Sequence, residues 1–116
     1  MTDYSQRRAA PRFEIQSYVT ASFSRSHKRY EAALADISTG GAGFIIEDVG
    51  NLVIQPGDKI KMSIGTSKGL AEVTVQVAWT GVKAADMLPF GSKFLDRSDD
   101  PSDPLNILIA GAAEST

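Results

Sequence analysis

Short segments in which apolar and polar residues alternate run through most of this 116-residue chain, and they constrain its fold most strongly. In the clearest segment, from Glu72 to Trp79, every second residue is apolar. A period of two places apolar side chains on one face of a β-strand, so Trp79 is predicted to pack in the core with the valines before it. The similar segments, separated by turn residues, are 13–23, 30–34, 43–47, 60–64 and 90–95. Six such strands predict an all-β fold, an antiparallel barrel or sandwich.

The length of the chain corresponds to one domain, which we divide into three parts. Residues 1–12 are predicted to form a flexible N-terminal arm, 13–95 a β-barrel, and 96–116 an acidic loop followed by a short helix or tail. Pro104 suits the first position of that helix, and Asp103 suits its N-cap.

Composition excludes several classes of function. The chain has no cysteine and one histidine, which excludes a thiolate or His-rich metal site. Its longest apolar stretches are too short to span a bilayer and it begins without a secretory signal, so we expect a cytoplasmic protein that does not insert into membranes. A net charge of −2 argues against binding to long nucleic acid. Because no placed base, nucleophile or metal cluster is recognisable, no catalytic residue and no cofactor is predicted.

A positive cluster precedes the first predicted strand. Arg7, Arg8 and Arg12 lie within six residues of an otherwise slightly acidic chain, and Pro11 favours an extended or turning backbone there. A guanidinium can pair in a bidentate manner with phosphate oxygens and, equally, with O6 and N7 of guanine. The arm can therefore contact both halves of a guanine nucleotide.

A second polar cluster follows the strand at 30–34. A carboxylate such as Asp36 can accept from the N1 and N2 donors of guanine, and the Ser38 hydroxyl can donate to phosphate or accept from a base. Gly40 and Gly41 allow close backbone approach or a positive φ. An ordinary interpretation also applies, because Asp and Ser commonly form turns through hydrogen bonds to the backbone.

The two clusters together resemble the signature of a known family. Arg8 and Arg12 form an RxxxR motif, and residues 36–41 form a DxSxxG motif, in the order and with the separation typical of PilZ domains. The segments Gly57-Asp58, Val77-Ala78-Trp79 and Gly91-Ser92-Lys93-Phe94 also resemble the pattern of the family.

The resemblance implies a six-stranded antiparallel β-barrel of the split-barrel type, with a short C-terminal helix, that binds the bacterial second messenger cyclic di-GMP on its outer surface. It implies that Arg8 and Arg12 hold guanine and phosphate. It assigns Asp36 and Ser38 to the opposite side of the ligand, with Gly41 at the point of close approach. Arg7, a basic residue directly before the first motif arginine, implies two ligand molecules per chain.

The function implied is that of a receptor or adaptor whose N-terminal arm changes conformation on binding and signals to a partner protein of unknown identity. One alternative is a PilZ-like interaction module that binds no nucleotide, its arginines belonging to a solvated, disordered terminus. Another is a nucleic-acid-binding barrel of the OB or SH3-like kind. An enzyme acting on the dinucleotide is the remaining alternative.

Overall fold

The computed structural model describes residues 13–14 and 19–115 of the chain. Within them, seven strands and one helix follow one another along the sequence. They are β1 (Phe13–Glu14), β2 (Thr20–Arg25), β3 (Lys28–Ile37), β4 (Gly41–Glu47), β5 (Lys59–Thr66), β6 (Gly69–Thr80), β7 (Leu88–Phe94) and α1 (Pro104–Ser115).

Six of the strands close into a barrel. Their order is β3-β2-β5-β6-β7-β4, and β4 pairs back onto β3, so the ring is complete and every pairing is antiparallel. The predicted six-stranded antiparallel β-barrel is therefore confirmed. Since β4 and β5 are three strands apart in either direction, they lie on opposite sides. We call the outward face of β3, β4 and β7 the motif wall, and that of β2, β5 and β6 the opposite wall.

The predicted first strand is described as two strands that both pair with β3. Phe13 of β1 lies opposite Ile37, whereas Ala21 of β2 lies opposite Ala32, and these two ladders have different registers. One uninterrupted strand cannot make both sets of pairs, because the offset between partners is constant along a regular ladder. β1 thus pairs with the end of β3, next to the β3–β4 turn.

The apolar rows predicted from the alternation fill the barrel. Inward side chains of β2, β3, β5 and β6 are buried as expected; they are Ala21, Phe23, Tyr30, Ala32, Leu34, Ile60, Met62, Ile64, Val73, Val75 and Val77. On the other side of the core, Phe44 and Phe90 are cross-strand partners whose ring centroids are 5.4 Å apart. Stacked aromatic pairs of this kind contribute about 1 kcal/mol beyond their buried area.

Two β-bulges interrupt the alternation. One lies between Leu34 and Asp36 in β3, which forms part of the motif wall, and the other lies between Val77 and Trp79 in β6, which pairs with β7 of that wall. Each extra residue shifts the phase of the strand, so the side chain after the bulge turns from the core to the outside. Ile37 rather than Asp36 is fully buried as a result.

The prediction that Trp79 packs in the core is wrong for this reason. Trp79 pairs with Gly91, which lies between the inward side chains of Phe90 and Ser92 and so faces outward. The indole is half-buried against the outer surface of β7.

The predicted C-terminal helix is confirmed. It begins at Pro104, and the Asp103 carboxylate caps it by accepting from the Leu105 N–H at 2.9 Å. Its buried face, which includes Leu105 and Ile109, packs against β5 and β6. Among the described residues, no helix has the length and apolar character needed to cross a membrane.

Candidate functional site

The DxSxxG motif forms the tight turn between β3 and β4. The Ser38 N–H donates to the Gly41 carbonyl oxygen at 2.8 Å, and the Ser38 hydroxyl donates to the same oxygen at 3.3 Å. Ser38 Oγ also accepts from the N–H groups of Gly40 and Gly41, at 3.2 Å each. With only 4% of its surface exposed, Ser38 acts first as the residue that holds the turn.

The two glycines of the turn have different structural roles. A Cβ added at Gly41 would lie 2.0 Å from the backbone oxygen of Ser92, whereas one added at Gly40 would meet nothing within 4 Å. Neither glycine has a positive φ, so that part of the turn prediction is wrong. Gly41 is required because β4 and β7 approach closely there. Gly40 instead offers its carbonyl oxygen to the Phe94 N–H at 2.8 Å.

The Asp36 carboxylate lies outside the barrel, next to this turn. The bulge before it turns the side chain outward, and the carboxylate rests over Gly43, its cross-strand partner in β4. A Cβ at Gly43 would come within 2.9 Å of Asp36 Oδ1. Asp36 is half-buried, so the carboxylate is positioned by the barrel yet still reaches the surface.

Sequence reasoning missed a pair of outward glycines that continue the site. Gly43 and Gly91 are cross-strand partners on the motif wall, and we call them the glycine floor. The Trp79 indole covers Gly91 so closely that an added Cβ would lie 2.0 Å from Nε1. Cross-strand Cα atoms are about 5 Å apart, so Asp36 and Trp79 rest on neighbouring positions. An isolated glycine inside a strand was the available signal, because it often marks close approach.

The predicted arginines Arg7, Arg8 and Arg12 lie outside the described residues. The residues that follow them are described, and β1 pairs Phe13 with Ile37 and Glu14 with Asp36. The backbone that leads out of the arm is thus fixed beside the strand that carries the motif carboxylate.

A separate groove of about 290 Å³ lies on the other side of the barrel. It is lined by Ser22, Phe23, Ser24, Arg29, Lys61, Ser63 and Glu72. None of the described motif residues, 36–41, contributes to it. Among residues 13–14 and 19–115, no three His, Cys, Asp or Glu side chains are grouped as metal ligands would be.

The barrel, its polar turn and the capped helix define a compact six-stranded β-barrel domain. The sequence pattern of the PilZ domain matches residues 6–110, which is most of the chain. The chain therefore belongs to the PilZ domain family. A comparison with curated protein sequences finds no match.

Solved structures of other proteins share this fold. The "PilZ domain with c-di-GMP of YcgR from Escherichia coli" is 17% identical with a TM-score of 0.76, over 95% of this chain and 94% of that one. The K. pneumonia MrkH-c-di-GMP complex is 19% identical with a TM-score of 0.76, covering 95% of this chain and 54% of that chain. The Bacillus subtilis inhibitor of motility MotI/DgrA is 14% identical with a TM-score of 0.70, covering 95% of this chain and 51% of that chain. The chain thus spans about half of the MrkH and MotI chains.

Proposed function

We propose that this chain is a cyclic di-GMP receptor that acts as an adaptor and performs no catalysis. The observation that carries the proposal is the Asp36 carboxylate, turned outward by a bulge onto the glycine floor, beside the strand pair that follows the RxxxR motif. Membership of the PilZ family supports it. So do the structural neighbours whose names include the same ligand, the YcgR domain and MrkH.

The chemistry of the wall suits a guanine nucleotide. Asp36 supplies the acceptor for the N1 and N2 donors of guanine. The glycine floor lets the Asp36 carboxylate and the Trp79 indole lie close against the strands. Ser38 and Gly41 contribute mainly through the shape of the turn, because the serine hydroxyl is engaged by the backbone. Gly40, with open space above it, is where the backbone can come closest to a ligand.

The arginines would supply the opposing half of the site. Arg12 directly precedes Phe13, whose backbone pairs with Ile37, and Arg8 is four residues earlier. An extended chain advances about 3.5 Å per residue, so both guanidiniums are within reach of a ligand on the motif wall. Arg7 would add a third cation, which supports our proposal of two stacked ligand molecules per chain.

The proposed output is a ligand-dependent conformational change. Residues 1–12 act as an arm, 13–95 as the barrel, and 96–116 as the acidic loop and helix. The arm folds over the motif wall when its arginines engage the ligand and so presents a new surface to a downstream protein. We propose that this activity takes place in the cytoplasm.

Calorimetric titration with cyclic di-GMP, with GTP and cyclic GMP as controls, tests the proposal directly. Saturable binding of cyclic di-GMP alone is expected, with ligand recovered intact after long incubation. Arg12→Ala should lower the affinity by about ten- to a hundredfold, the usual effect of losing a charge-assisted hydrogen bond. A flat titration would replace the proposal with an interaction module that binds no nucleotide, and unchanged affinity in Arg12→Ala would remove the arm from the site.

A further inference from the structure

Lys93 faces outward immediately beside the motif turn. It is the cross-strand partner of Gly41, and because Gly41 has no side chain, nothing on β4 separates the stem of Lys93 from the turn. The preceding residue, Ser92, is buried in the barrel. Because successive side chains of a strand point to opposite faces, Lys93 lies on the outer surface, where it is exposed.

The ammonium of Lys93 is not neutralised by the part of the protein that the structure describes. Its partner on the other neighbouring strand is Gln76, which carries no charge. Ion pairs recorded among the described residues join Arg25 to Asp58, Arg29 to Glu31 and Lys83 to Asp86, and none includes Lys93. A cation without a neighbouring negative charge at the edge of the motif wall attracts an anionic group.

Asp36 and Lys93 lie on the same wall at a diagonal. Asp36 pairs with Gly43, and Lys93 pairs with Gly41, two residues along β4 on the same face. The Cα atoms of Asp36 in β3 and Lys93 in β7 are therefore separated by two strand spacings across the sheet and by two residues along it, which corresponds to about 12 Å. Both side chains can therefore contact one ligand of dinucleotide size, the carboxylate at a base and the ammonium at a phosphate.

We propose that Lys93 is a further ligand-binding residue of the motif wall, which contacts a phosphate of the bound cyclic dinucleotide. This inference rests on the proposed function. Lysine suits the role as a point charge on a flexible stem, and it needs no fixed geometry at the phosphate. It extends the site to β7, beyond the RxxxR and DxSxxG motifs.

Lys61 provides a matched control. It is an exposed lysine on β5, three strands from β4 in either direction around the closed barrel, so it faces the opposite side. Lys93→Gln and Lys61→Gln change the net charge of the protein equally. A difference between them reports position, not overall charge.

The experiment is calorimetric titration of wild type, Lys93→Gln, Lys93→Arg and Lys61→Gln with cyclic di-GMP at low and high NaCl. We expect Lys93→Gln to bind about fivefold more weakly at low salt, the effect of one exposed ion pair. Its affinity should also depend less on salt than that of wild type, because one screened contact is gone. Lys93→Arg should retain most of the affinity, and Lys61→Gln should behave as wild type.

The titrations test cyclic di-GMP binding by the chain and the phosphate contact of Lys93 separately. If wild type does not bind cyclic di-GMP, the proposed receptor function is wrong. If wild type binds and Lys93→Gln matches it, or if both glutamine variants weaken equally, Lys93 makes no phosphate contact and this inference is overturned. Thermal unfolding of each variant identifies any loss of folded protein, which is not expected for an exposed side chain.

Discussion

Two turns at the same end of the barrel, Ser38–Gly41 and Thr66–Gly69, share their hydrogen bonds but lie on opposite walls. In each turn the hydroxyl of the first residue donates to the carbonyl oxygen of the last, at 3.3 Å from Ser38 and 2.6 Å from Thr66. The hydroxyl oxygen of the first residue also accepts from the N–H two residues later, at 3.2 Å in the Ser38 turn and 3.1 Å in the Thr66 turn. Turn chemistry alone therefore does not mark a binding site.

The surroundings of the two turns differ. The Thr66 turn joins β5 and β6, whose shared ladder has no register shift, and the outward side chains Lys59 and Lys61 of β5 are exposed. In the Ser38 turn, the first and last residues, Ser38 and Gly41, are buried. This turn follows a bulge that turns Asp36 outward, where its carboxylate lies over Gly43. Departures from regular strand geometry, and not the turn hydroxyl, therefore distinguish the motif wall from the opposite wall.

The largest effect is expected at Gly41. Gly41→Ala should destabilise the protein by about 3 kcal/mol, because the new methyl group would overlap the Ser92 backbone oxygen and β4 must separate from β7. Chemical denaturation measures this. Its neighbour Gly40 is the control, since Gly40→Ala meets open space and should change stability by less than about 0.5 kcal/mol. Equal effects at both positions would show that the close strand approach is not what Gly41 provides.

Asp36→Ala should have the next largest effect, on ligand binding. Loss of a charge-assisted hydrogen bond predicts a decrease in cyclic di-GMP affinity of about ten- to a hundredfold, or about 1.5–3 kcal/mol. Calorimetry should show no comparable change for Glu72→Ala, which removes an exposed carboxylate from the opposite wall. If Glu72→Ala were the more damaging, the ligand would have been assigned to the wrong wall.

Gly91→Ala tests whether the glycine floor supports Trp79. The added methyl group would collide with the indole, which must move away, and the free energy of unfolding should fall by about 2 kcal/mol. The chain has one tryptophan, so a red shift of its fluorescence would report the displacement. Gly65 of β5 is the matched position on the opposite wall, and Gly65→Ala, which requires only a small movement of Thr20, should leave the emission unchanged.

The smallest difference is expected between the two turn hydroxyls. Ser38→Ala should cost about 1.5 kcal/mol, because it leaves buried N–H groups without their acceptor. Thr66→Ala should cost only about 0.5 kcal/mol, since water replaces the hydroxyl at an exposed turn. Thermal unfolding of the two variants compares them, and equal losses would mean that burial does not separate the turns.

The side of the barrel formed by β5 and by β6 as far as Val77 was largely predictable from the sequence. Inward rows on β5 and β6 and the Asp103 cap of α1 follow from local rules, because a period of two and a capping residue act over a few neighbouring positions.

The motif wall was less predictable, and so was the indole of Trp79, which extends from β6 over Gly91. The bulges that reorient Asp36 and Trp79 depend on how β3 meets β4 and how β6 meets β7, and that pairing is not contained in the periodicity of one strand. Alternation alone would have placed both side chains in the core. The DxSxxG motif located Asp36 correctly beside its turn, whereas the contribution of the arginines stays a prediction, since they lie outside the described residues.

Chemical-shift mapping of isotope-labelled protein titrated with cyclic di-GMP shows which wall of the barrel binds the ligand. Saturable shifts are expected at Asp36, Gly41, Gly43 and Lys93 and at the indole N–H of Trp79, with the resonances of β5 unchanged. If no resonance shifted, or if the shifts were concentrated on the groove between Ser22 and Lys61, the motif wall would not be the binding site.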